Sequence, residues 1–163
     1  PSTPANEVFM ELTSKAIGDG AAIEVRYAEP GLGGANISPD VSWTPGPDGT
    51  QSYAITCFDP DAPTGSGWWH WLVTDIPADV TGIPEAGPLP EGARTWPNDY
   101  AYPGWGGPWP PPGPAHRYVF TVHALSVARL DADENTPPAM VRLLMHFAEL
   151  DRASITGLFG VDA

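Results

Sequence analysis

A single cysteine, Cys57, stands among the 163 residues, so no disulfide can form within the chain. A domain of this length buries roughly 70% of the surface its unfolded chain exposes, and it needs neither a cross-link nor a structural metal. Basic residues are almost as scarce: seven Lys and Arg face 20 Asp and Glu, for a net charge of −13. A nucleic acid would meet a repulsive field and few phosphate-neutralising side chains, and an anionic membrane surface is disfavoured for the same reason. No apolar run approaches the roughly 18 residues of a membrane-spanning helix. Pro1 to Asn6 carries neither the basic nor the apolar region of a signal peptide. The expectation is a cytoplasmic protein, or an exported one whose leader was removed before residue 1. Zinc-ligand spacing, a GxSxG turn and a GxxxxGK phosphate loop are missing too, so neither metal nor cofactor is expected.

What is present is a β-type pattern cut by turns. Hydrophobic residues make up 42% of the chain and seven are Trp, which argues for packing although 21 Pro and 18 Gly could suggest disorder. One domain over residues 1–163 is expected. Val8 to Thr13, Ala22 to Tyr27 and Trp69 to Ile76 alternate apolar and polar, as half-buried strands do. Val41-Ser42-Trp43 fits a short strand, and the continuous apolar run Tyr53 to Phe58 suits a central one. Tyr118 to Val127 is the longest run, and period two puts Tyr118, Phe120, Val122, Ala124 and Ser126 on one face.

Gly87 to Ala115 is rich in proline but carries Trp96, Tyr100, Tyr102, Trp105 and Trp109, so it reads as an ordered, wall-forming loop. A helix follows, with Thr136 as cap, Pro137 at the first helical position, and Met140, Leu143, Leu144, Phe147 and Leu150 as its apolar stripe. The tail Ile155 to Gly160 is short and suits an edge strand.

Three clusters could carry chemistry. Asp59-Pro60-Asp61-Ala62-Pro63-Thr64 follows an apolar strand; its carboxylates are turn formers on the plain reading, because Asp side chains bond nearby backbone N–H groups. In Trp68-Trp69-His70-Trp71, period two puts His70 and Trp68 on one face, and a histidine among aromatics is commonly a packed residue. Gly104-Trp105-Gly106-Gly107-Pro108-Trp109-Pro110-Pro111 precedes His116-Arg117-Tyr118; its glycines could aim amides at an anion or serve a tight turn. The remaining candidates have plainer readings. Cys57 is an inert buried thiol, His123 is packed or exposed, His146 faces solvent, and Arg117 pairs with an acid.

The order of these clusters is far more specific than any one of them. Asn36-Ile37-Ser38-Pro39-Asp40-Val41-Ser42-Trp43, Asp59 to Thr64, Gly67 to Val73, Asn98-Asp99, Gly106-Gly107-Pro108, Pro110-Pro111 and His116 to Leu125 follow one another as in the phosphatidylethanolamine-binding protein family. The chain resembles the short bacterial and archaeal branch of that family. The resemblance implies a large antiparallel sheet packed with a smaller sheet, and short helices including one near the carboxyl end. It also implies an anion pocket built from Asp59, His70, Gly107, Pro108, Pro110, Pro111, His116 and Tyr118, with a cis peptide nearby, for which Ala62-Pro63 is the candidate. The branch commonly has a cysteine where this chain has Trp109, which could narrow the pocket, stack on a ligand or cover the surface.

The function expected from this resemblance is binding of a small anionic or phosphorylated molecule, with a regulatory or inhibitory role open. In that pocket both imidazoles and the Gly106 or Gly107 amides donate to the anion, and affinity rises as the histidines charge below pH 6 to 7. Asp59 orients a histidine. Two alternatives stand beside it. One is a cofactor-independent enzyme using Asp59, His70 and His116 as general acid and base. The other is an inhibitor that meets a kinase or protease through an exposed Trp96 to Trp109 loop. A protein partner or a second copy of the chain stays open.

Overall fold

The two longest β-type runs become the middle of the larger sheet in the computed structural model, which describes residues 9–163. In chain order the strands are β1 (Leu12–Thr13), β2 (Val41–Trp43), β3 (Ser52–Asp59), β4 (Trp68–Pro77), β5 (Gly82–Ile83), β6 (Arg94–Thr95) and β7 (His116–Leu125). Helix α1 (Pro138–Ala148) runs directly into β8 (Glu149–Phe159). β3 lies at the centre of a five-stranded sheet ordered β6-β4-β3-β7-β8, and β1-β2-β5 forms a second sheet of three strands. Every pairing between named strands is antiparallel.

Period two explains the layering. Tyr118, Phe120, Val122 and Ala124 all point to one face of β7, where they join Ile55 of β3 and Val73 of β4 in a core shared with Leu12, Val41, Trp43 and Ile83 of the small sheet. The opposite face presents Ala54, Leu72 and Leu125 to Trp96 and to Val141 and Met145 of α1. The larger sheet is therefore buried on both sides, which is why Tyr53 to Phe58 reads as unbroken apolar sequence. No helix among the described residues is long and apolar enough to cross a membrane.

Several expectations change. Val8 lies outside the described residues, and of the strand expected from it Leu12–Thr13 forms. Ala22 to Tyr27 is not a strand: Ala22 makes one bridge to Leu158, and Val25–Tyr27 then winds into a 3₁₀ turn closed by Ala28 N–H on the Val25 carbonyl. That turn buries Tyr27 and leaves Arg26 beside Glu85. β7 stops at Leu125, two residues early, as the Ser126 N–H turns to the Ala148 carbonyl. The edge strand begins at Glu149 rather than Ile155, so Leu150 belongs to β8 and not to the helix. The cis peptide is Gly87-Pro88, not Ala62-Pro63.

The helix shows the largest reversal. It starts one residue later than expected, with Pro137 at the cap and no side-chain capping bond. Its buried residues are Val141, Met145 and Ala148, whereas Met140, Leu143 and Phe147 of the expected stripe face outward, Phe147 with 77% of its surface exposed. Both sets recur at helical spacing, and the docking of the helix on Leu125 and Leu130 decides between them. Phe147→Ala is accordingly expected to change stability by at most about 0.5 kcal/mol, against roughly 2 kcal/mol for Val141→Ala, measured by urea unfolding. Equal losses would show that the outward face is buried in solution.

Candidate functional site

The site is assembled from three neighbouring strands. Asp59 ends β3, His70 lies on β4, and His116 and Tyr118 open β7. Registry is interrupted where it matters: Cys57 pairs with Trp71 and Phe58 with Trp69, so His70 is the extra residue of a bulge. Bulges re-aim side chains at sheet ends. Here the buried ring of His70 packs edge-on against Tyr118 and Tyr100, with centroids 5.1 and 5.7 Å away.

Asp59 fulfils its plain reading and does more. Its Oδ1 accepts the N–H groups of Asp61 at 2.7 Å and Ala62 at 3.1 Å, closing the turn that Pro60 and Pro63 stiffen. The other oxygen, Oδ2, accepts from Nδ1 of His116 at 2.7 Å. The carboxylate thus fixes the orientation of the His116 ring and leaves Nε2 as its remaining nitrogen. Asp61 turns away from the site. Arg117 binds it through both main chain and guanidinium, which pulls the Asp61 carboxyl down to about 2.

The proline-rich loop is held to the strands from behind. Gly106 N–H bonds the His70 carbonyl at 2.9 Å, and His70 Nδ1 donates to the Gly106 carbonyl at 2.6 Å. Gly107 N–H is taken by Asn36 Oδ1 at 2.7 Å. Both amides are therefore spent on the scaffold and neither serves as an anion donor, a correction to the reading of these glycines. Gly107 is required for another reason: a Cβ there would lie 2.0 Å from the Tyr27 carbonyl oxygen. Gly107 and Pro108 are supports, and neither lines the cavity described next.

In front of Asp59, His70, His116 and Tyr118 is a cavity of about 200 Å³. Its walls are Pro63, Trp68, Tyr100, Trp109, Pro110 and Pro111. Trp109 is half exposed and lies across Gly31, where a Cβ would come within 2.4 Å of the indole. It therefore both walls the cavity and covers the neighbouring turn. Trp105 is buried in the core, so the aromatic loop offers Trp109 rather than a broad exposed surface.

The electrostatics differ from those expected. Burial pushes His70 down to about 4, outweighing the Gly106 carbonyl and the charge of Asp59, so the ring stays neutral at physiological pH. The expectation that both histidines charge between pH 6 and 7 fails at His70. Because a carbonyl can only accept, Nδ1 carries the proton and Nε2 is a lone pair. Burial also raises Tyr118, with the charge of Asp59 adding to it, so its hydroxyl stays protonated. That hydroxyl and the indole N–H of Trp68 are buried without a partner among the described residues. Buried polar groups in this state call for a ligand or ordered water.

Asp59, His70, Trp109, Pro110, Pro111, His116 and Tyr118 are thus brought together. Trp68 and Tyr100 join the site without being among the residues that the sequence assigns to it. Trp68 was detectable through the face it shares with His70, whereas nothing periodic marks Tyr100. Asn36 and Asp99 hold the surroundings, Asp99 Oδ2 accepting the Trp69 N–H at 2.7 Å.

The comparisons agree with this architecture. Residues 13–160 match the family model described as phosphatidylethanolamine-binding protein. The Escherichia coli K12 protein YbhB is 45% identical over 157 residues, which cover 92% of this chain and 99% of that protein. YbcL of the same organism is 40% identical over 166 residues, covering 96% and 91%. The crystal structure of E. coli YbcL, described as a new member of the mammalian PEBP family, superposes with a TM-score of 0.91 at 38% identity over 95% of this chain and all of that one. The chain belongs to the phosphatidylethanolamine-binding protein family.

Proposed function

We propose that the protein binds the polar head of a small oxyanionic molecule, such as a phosphate monoester, in the cavity between Asp59, His70, His116 and Tyr118. The observation that carries this reading is the pair of orphaned donors, Tyr118 O–H and Trp68 Nε1–H, buried at the wall of that cavity. No Lys or Arg among the described residues lines it, so the anion is held by neutral donors and by His116. Asp59 orients His116 and stays out of contact with the ligand. A volume near 200 Å³ is below the usual range for drug-sized ligands and suits a headgroup with a short substituent.

Tyr118→Phe separates binding from folding. The hydroxyl makes no bond among the described residues, so its loss leaves stability unchanged or raised by up to about 1 kcal/mol. The same change is expected to weaken binding of O-phosphoethanolamine or inorganic phosphate about tenfold or more, read by calorimetry. Unaltered affinity in the variant, or no binding to the wild type, would refute the assignment.

One observation supports a second reading. The Asp59–His116 pair has the form of an oriented general base, its Nε2 directed away from the carboxylate. Neither site histidine is hydrogen-bonded to a Ser, Thr or Cys side chain among the described residues, so a reaction here would be proton transfer rather than covalent catalysis.

A further inference from the structure

The hydrogen-bond complement of the pocket restricts its ligand further than charge does. Resting on the binding role proposed above, we infer that the site selects the protonated monoanion of a tetrahedral oxyacid, a phosphonate or phosphate monoester keeping one P–OH. It does so over an anion of the same shape that can only accept hydrogen bonds.

One nitrogen of His70 sets this selectivity. His70 gives its Nδ1–H to the Gly106 carbonyl, and Nε2 has no partner among the described residues although the ring lines the cavity. Around this ring stand Asp59 on β3, His116 and Tyr118 on β7, Tyr100 and Trp105 on the loop, and the carbonyls of Gly106 and Gly107. None donates to Nε2: the Asp59 carboxylate is occupied by His116 and the two turn amides, and Tyr100 O–H is given to the Gly107 carbonyl. The Tyr118 hydroxyl, on a ring packed edge-on against His70, has no partner among the described residues. Among the described residues, those lining the cavity therefore carry two buried donors without acceptors and, at His70 Nε2, one acceptor without a donor.

A deprotonated oxyanion satisfies the donors but turns a lone pair toward the lone pair of Nε2. A P–O⁻ group beside a P–OH satisfies both, with the hydroxyl donating to His70. Charge acts in the same direction, since a second negative charge would sit beside Asp59 in a chain of net charge −13. The protons on His116 do not alter the argument, because the lone pair in question belongs to His70.

The test is a matched pair of ligands on the intact protein. Methylphosphonate and methanesulfonate have the same shape and, at about pH 6, the same single charge; they differ in one hydroxyl. Calorimetry at about pH 6 should show methylphosphonate binding about tenfold or more tightly, the worth of one well-made hydrogen bond. By about pH 9, where it is a dianion, that advantage should vanish. Equal affinities at the lower pH, or tighter binding of the dianion, would overturn the selectivity and leave the oxyanion pocket standing. Failure of both ligands to bind would overturn the pocket itself.

Discussion

Replacing Asp59 by alanine is expected to cost the protein about 3–5 kcal/mol of stability, the loss typical of removing one partner from a buried ion-paired or charge-assisted contact. The side chain is almost fully enclosed and accepts from Asp61 N–H, Ala62 N–H and His116 Nδ1. Deleting it unties the turn after β3, strands two amides and leaves the buried ring of His116 without its acceptor, so the losses compound. Asp59→Asn is the informative companion. Its carbonyl oxygen can still take the two amides, but its NH₂ meets the donor nitrogen of His116. A smaller loss, about 1–3 kcal/mol, is expected for it. Urea unfolding at neutral pH measures both. An alanine variant within about 1 kcal/mol of wild type would show that the contact is replaced by water in solution.

The second large effect is a loss of stability on acidification. His70 titrates near 6.5 when unfolded and is held to about 4 by burial in the folded protein. Between these values the unfolded chain binds a proton that the native state refuses, so stability falls as pH drops through the window. At about 1.4 kcal/mol per pH unit this one group removes on the order of 3 kcal/mol by pH 4. His123 works in the same sense. It is enclosed between Thr56 and Glu149, at 2.9 and 2.7 Å, and burial lowers it although Glu149 opposes the shift. Glu149, lowered chiefly by His123, and Asp61, lowered chiefly by Arg117, give up their own contributions at still lower pH. Unfolding free energies from pH 7 to 4 should slope downward, and His70→Gln should flatten the slope. A level profile, or an unchanged slope in that variant, would contradict the burial of a neutral His70.

The residues of the site were legible to different degrees for physical reasons. Asp59, His70, His116 and Tyr118 sit near the ends of strands whose apolar patterns are plain in the sequence, and their order carried the resemblance that grouped them. The two glycines were legible as necessary but not in their role: whether a glycine frees an amide or admits a passing backbone depends on the Tyr27 carbonyl, 80 residues away in the chain. The charge state of His70 was out of reach too, because it depends on how deeply the ring is buried. In the fold, the unbroken apolar run of β3 and the alternation of β4 and β7 mark the central sheet, while α1 carries two apolar stripes at helical spacing. Only its packing on Leu125 and Leu130 shows that the smaller side chains of Val141 and Ala148, with Met145, face inward.

The most direct measurement of the binding claim is nitrogen-detected NMR of the histidine rings during a titration with O-phosphoethanolamine at about pH 6. Free His70 should show a protonated Nδ1 and a bare Nε2. Addition should shift His70 Nε2 and the His116 ring saturably while His123 and His146 stay still. Saturation that moves other rings, or leaves His70 and His116 unchanged, would mean that the cavity in front of Asp59 is not where an oxyanion binds.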